Sequence, residues 1–194
     1  MILVTGASVY IWAKAPVKFD YALYVIVLAY FALITVIDVE HRLILHPTSI
    51  FGAFLGLGIG WLKHGFYSTL IGGIAGFLIM LSIYYLGVLF ARYRARRMQQ
   101  AGQETDDEEA LGFGDVNLAG VLGLLIGWSR IWVVLLQGIV FAGIFGVFMV
   151  FFMLIARKYK ENALMVFIPY GPFLILSAFL MIFVPSWISV IVPK

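Results

Sequence analysis

The sequence predicts an all-α, polytopic membrane protein, a bundle of about six spanning helices with one long connection between the third and the fourth. Three observations predict it. Charged residues make up 12% of the 194 positions and hydrophobic ones 63%, whereas a soluble domain carries about 25% charge. That charge is gathered into short stretches. Between them lie apolar runs of roughly 17 to 28 residues, long enough to cross a hydrocarbon core of ~30 Å. Backbone polar groups in lipid need internal partners, so such runs should be helices.

Taken in order, the first span runs from about Tyr21 to Ile37 and stops at Asp38. The second starts at Pro47, a favourable first-turn residue, and reaches about Leu62. The third covers about Phe66 to Ala91. The fourth is short, from Asp115 to Trp128. The fifth runs from Ile131 to Ala156, and the sixth from Met165 to Val192, with Pro185 placed to kink it. The connection from Tyr93 to Leu111 turns from basic to acidic, which reads as a solvated, mobile loop on the cytoplasmic side. Glycines recur inside the spans, including Gly52, Gly56 and Gly60, Gly72 and Gly76, and Gly123 and Gly127. Small residues at this spacing let helix backbones approach closely in lipid.

Cysteine is absent, which excludes disulfides, thiolate chemistry and Cys-ligated metal or iron–sulfur centres. The net charge of +3 comes from basic residues that flank apolar runs, so it carries topology information and no nucleic-acid footprint. Met1 to Trp12 has neither a basic leading region nor a cleavage site of the secretory kind. The three histidines, His41, His46 and His64, do not share a metal-binding spacing. Arg42, the cluster Arg92, Arg94, Arg96 and Arg97, and the cluster Arg157, Lys158 and Lys160 all fall on one side by parity of the spans. The positive-inside rule makes that side cytoplasmic and leaves Lys63 and Arg130 on the other. The chain therefore reads as one integral domain, 1–194, in the cytoplasmic (inner) membrane.

Two acids stand apart from the rest. Asp38 continues the apolar run Ala-Leu-Ile-Thr-Val-Ile without a break, and Asp115 opens the short fourth span. An ionisable group at the bilayer edge is costly and invites a functional reading with a named partner. Parity puts both at the cytoplasmic face. Each has a plainer reading as well: Asp115 as an acid stabilising a helix N-terminus, Asp38 as an interfacial acid paired with His41 or Arg42. Together they match two-carboxylate hydrolysis. One ionised carboxylate takes a proton from water while the other, protonated, hydrogen-bonds the scissile carbonyl. Such a pair shares a proton and titrates in coupled steps.

Three segments in order resemble the type IV prepilin peptidase family. They are Ile37-Asp38-Val39-Glu40-His41-Arg42-Leu43-Ile44-Leu45-His46-Pro47, then Gly112-Phe113-Gly114-Asp115, like the family's Gly-x-Gly-Asp signature, then Ile168-Pro169-Tyr170-Gly171-Pro172-Phe173. The resemblance covers about residues 22–184. It implies an intramembrane aspartic endopeptidase of the Gly-x-Gly-Asp type with Asp38 and Asp115 as catalytic residues and no cofactor. It implies that the enzyme removes leaders from prepilin or pseudopilin precursors at the cytoplasmic membrane face. Gly112 and Gly114 would support the second acid. Pro169, Tyr170, Gly171 and Pro172 are candidate substrate-contacting residues, with a structural role for the prolines at the start of the sixth span as the alternative. The chain departs from the family in lacking its paired-cysteine region, so methyltransferase activity is not expected. Asn117 stands where the family often has Lys, and Thr48 where it has Asp or Asn.

Two other functions fit the same acids. In a small proton- or cation-coupled transporter they would bind the coupling ion, although such sites usually lie at the midplane in repeated, broken helices. In a non-catalytic membrane subunit of a secretion system they would be dispensable.

Overall fold

The computed structural model describes residues 18–41, 44–100, 112–128, 130–155 and 170–184. All the regular structure among them is helical: α1 (Lys18–His41), α2 (His46–His64), α3 (Phe66–Gln100), α4 (Phe113–Ile126), α5 (Ile131–Ile155) and α6 (Gly171–Phe183). The protein is an all-α membrane bundle. Within α1, α3 and α5, the stretches Asp20–His41, Phe66–Arg97 and Ile131–Met153 are long and apolar enough to cross a bilayer, whereas α4 and α6 are shorter apolar helices.

The bundle is arranged around one short central helix, α4. α4 packs mainly against α3 and α2, while α6 packs against α5 and α1. Val116, Leu118, Ala119, Leu122 and Leu125 of α4 are all buried, so this helix meets protein on nearly every side. A 14-residue helix rises about 21 Å, less than a hydrocarbon core, and enclosure by protein makes that length tolerable. The outer surface is the reverse. Phe54, Tyr67, Phe90 and Val147 are 71–82% exposed, and lipid is the solvent that accepts such a surface.

Glycine sets how closely α4 approaches its neighbours. A Cβ on Gly123 would lie 2.1 Å from the Gly72 carbonyl oxygen, and one on Gly60 would lie 2.1 Å from that of Leu124. The spacing of small residues therefore does what the sequence suggested and lets backbone meet backbone. α4 ends at Gly127, whose φ of 80° lies in the left-handed region that favours glycine. The chain then turns so that Trp128 N donates to Ser68 O at 2.9 Å. On the other side of the bundle, buried Ser177 of α6 donates to Val134 O of α5 at 2.8 Å.

One expectation is corrected. The stretch from Tyr93 onward does not begin a loop, because α3 continues to Gln100. Arg, Met and Gln are good helix formers, and a growing helix needs no new nucleus to continue past the membrane edge. Arg97 also lies over the Tyr93 ring at 5.4 Å, one helical turn away. The remainder of the predicted loop, 101–111, lies outside the described residues, as do Pro169 and Pro185.

Candidate active site

The two ends of the bundle differ in chemistry. At one end, Asp20 near the start of α1 pairs with Lys63 at the end of α2. His64 and Arg130 join Lys63 around a cavity of about 150 Å³. Asp38 lies 18 residues along α1 from Asp20, about 27 Å at the helical rise. That distance approaches the thickness of a hydrocarbon core.

At that other end, the last turn of α1 carries Asp38 and the first turn of α4 carries Asp115. Both are turned inward, at 5% and 6% exposure. Their carboxylates are close enough for the charge of Asp38 to act on Asp115 through space. Asp38 Oδ2 and Asp115 Oδ1 are buried with no hydrogen-bond partner among the described residues. Most buried polar atoms are satisfied, so an orphaned oxygen on each of two neighbouring acids calls for an explanation.

The plainer readings of the two acids account for part of this. Gly112 caps α4 from an extended conformation, and the Asp115 carboxylate faces back towards the Gly112 backbone amide, as an N3 acid does in a capping box. One oxygen remains over. Asp38 is not an interfacial acid paired with His41, because His41 is exposed and forms no ion pair among the described residues. Arg42 lies outside those residues.

The turn between α1 and α2 supplies the wedge between the acids' supports. Ile44 is buried and lies against Gly114, where a Cβ would come within 2.8 Å of Ile44 Cβ and 3.2 Å of its backbone nitrogen. Its Cδ1 also reaches towards Gly171. Ile44, which sequence reasoning did not single out, thus touches both glycine-bearing motifs. Its only signal was its place in the apolar run Leu43-Ile44-Leu45 of the connecting turn.

The third motif arrives from α6. The Gly171 backbone faces the Asp38 carboxylate, and Tyr170 lies within electrostatic reach of Asp115. Pro172 occupies the first turn of α6, where its missing N–H costs nothing. Phe173 N and Leu174 N both donate to Tyr170 O, at 3.1 and 3.3 Å. The start of α6 thus carries Pro172 in its first turn, while Pro169, the other proline of the motif, lies outside the described residues. Of the candidate residues, Asp38, Asp115, Gly112, Gly114, Tyr170 and Gly171 gather here. Asn117 does not face the acids. Two residues on from Asp115, it points about 200° away around the helix and lines a separate groove of about 470 Å³ with His46, Ser49, Ile74, Phe77 and Leu124. Thr48 is spent locally, its hydroxyl donating to Leu45 O at 2.7 Å.

Comparison with known families decides the lineage. The type IV leader peptidase family matches residues 25–147, which is well over half of the chain. The chain belongs to the type IV leader peptidase family. Among curated members, it is 25% identical over 132 residues to the prepilin leader peptidase/N-methyltransferase of Aeromonas hydrophila, covering 68% of this chain and 35% of that protein. It is 26% identical over 112 residues to the protein of that name from Aeromonas salmonicida strain A449, covering 58% of this chain and 31% of the relative. The chain thus spans about a third of the length of the curated relatives it matches. No solved structure matches it. The leader peptidase match contains both Asp38 and Asp115 and stops before the Tyr170–Pro172 segment.

Proposed function

We propose that this leader peptidase family member is an intramembrane aspartic endopeptidase. It would cleave the leader from type IV prepilin or pseudopilin-like precursors at the cytoplasmic face of the inner membrane, with Asp38 and Asp115 activating water. The observation that carries the reading is the pair of orphaned oxygens. Two acids are turned inward where the charge of Asp38 reaches Asp115, and each keeps one oxygen without a hydrogen-bond partner among the described residues. A water held between such oxygens and a peptide carbonyl against the protonated partner would satisfy both.

The chemistry follows from a shared proton. The ionised carboxylate accepts a proton as water oxygen bonds to the scissile carbonyl carbon. The protonated carboxyl donates a hydrogen bond to the carbonyl oxygen as negative charge develops there. Collapse of the tetrahedral intermediate breaks the C–N bond. The leaving amine takes a proton from the dyad, and the one-proton state is restored. No cofactor enters the balance. The enclosing helices limit water to the reacting site, which strengthens each polar interaction. The membrane location suits a substrate whose own apolar helix lies in the bilayer.

Cleavage of a precursor by purified protein in detergent tests this directly, comparing wild type with Asp38→Asn and Asp115→Asn. Each amide keeps the shape but cannot exchange the proton, so kcat should fall by at least ~10³-fold with the helical signal unchanged. Wild-type turnover in either variant would rule out the dyad.

A further inference from the structure

Gly171 opens α6 and is buried. Its backbone faces Asp38. A methyl group in place of one α-hydrogen would lie 2.5 Å from Asp38 Oδ2 and 3.1 Å from Asp38 Cγ, well inside van der Waals contact. The atom that would have to move is the end of a side chain, so substitution need not break the fold. It would instead relocate a reacting group.

Backbone conformation does not account for glycine at this position. Among the described residues only Gly65 and Gly127 adopt positive φ, so residue 171 uses a conformation open to any amino acid. A second explanation is that glycine eases the crowding that proline imposes on the residue before it, since Pro172 follows. The two explanations separate cleanly. Crowding by proline disappears when the proline is removed, whereas a clash with Asp38 does not.

We propose that Gly171 is a positioning residue of the dyad. Its missing Cβ leaves the space that the Asp38 carboxylate occupies, and its backbone faces that carboxylate, so the start of α6 sets where Asp38 points relative to Asp115. This rests on the reading of Asp38 and Asp115 as the catalytic pair. It also changes the role first expected of Gly171, from touching substrate to holding the group that touches it.

The experiment compares wild type, Gly171→Ala, Pro172→Ala and the double variant, with Asp38→Asn as reference, in a precursor-cleavage assay. Gly171→Ala should lower kcat by about 100-fold, the effect of misplacing a reacting group by about 1 Å. KM should stay within about threefold and the limbs of the pH profile should move, because the environment of one carboxylate has changed. Adding Pro172→Ala should restore nothing. Wild-type kcat in Gly171→Ala, rescue by Pro172→Ala, or a rise in KM alone would each overturn the proposal. A thermal cycle needs no activity: Gly171→Ala should lower the unfolding midpoint in the presence of Asp38 but not in an Asp38→Ala background. An equal drop in both backgrounds would also overturn it. Wild-type cleavage by Asp38→Asn would remove the dyad itself. An inactive Asp38→Asn beside an unimpaired Gly171→Ala would remove only the positioning role.

Discussion

Ile44 lies directly against Gly114, so closely that a Cβ added to the glycine would come within 2.8 Å of Ile44 Cβ and within 3.2 and 3.3 Å of its backbone nitrogen and oxygen. The turn that follows Asp38 is thereby fitted against the helix start that presents Asp115. Sliding one moves the other.

Gly114→Ala should therefore impair cleavage more than it impairs folding. The neighbours include backbone atoms, which yield only by shifting the α1–α2 turn, and overpacking of this kind costs about 1–3 kcal/mol. A displaced dyad should lower kcat by roughly 10- to 100-fold. Helical content by circular dichroism and kcat by precursor cleavage check both halves. Unchanged kcat would mean that the turn and the helix start move independently.

The interface of α3 and α4 should be the part of the bundle least tolerant of added volume. Gly123→Ala would place a methyl 2.1 Å from Gly72 O and 2.7 Å from Gly72 C, and a helix backbone cannot step aside cheaply. A loss of about 1–3 kcal/mol is expected, read as a lower thermal midpoint in detergent. Gly58→Ala is the control, because a Cβ there meets nothing within 4 Å. It should be neutral or should stabilise by up to ~1 kcal/mol through helix propensity. Equal effects at both positions would contradict the packing.

Ser177→Ala tests the tie between α5 and α6. The hydroxyl is fully buried and donates to Val134 O, so its removal leaves a carbonyl that has lost a partner. Interhelical hydrogen bonds in membranes are worth about 0.6 to 2 kcal/mol, and the unfolding midpoint should fall by a correspondingly small amount. Because α6 also carries Gly171, a modest reduction in kcat should accompany it.

Cleavage should depend on pH as a bell. If the dyad works with one shared proton, acid removes activity by protonating the carboxylate that accepts from water. Base removes it by taking the proton that binds the carbonyl. The limbs belong to the pair, not to either residue alone. Measuring kcat/KM from about pH 4 to about pH 9 checks this, and a curve with a single limb would argue that only one of the acids titrates in the working enzyme.

Much of the site was legible because the signals are local. Asp38 and Asp115 are acids that interrupt nothing, each joined directly to an apolar run, and parity of the spans already set them at one end. Pro47 at the start of α2 announced a helix beginning by its missing N–H. Residues 93–100 were misread for the same local reason. Arginine and glutamine suit a solvated loop and a solvated helix equally, and composition does not tell them apart.

By itself the sequence determined the solvent, the helical class and the family, and it singled out two acids as candidates, since each follows from residue type, run length or motif over a few consecutive positions. Only the tertiary structure decided that Ile44 wedges between Gly114 and Gly171, that Asn117 faces away from the acids, and that Gly171 makes room for Asp38. Those relations join segments far apart along the chain, and what brings them together is the close packing of helices around α4, which no local pattern of residues records.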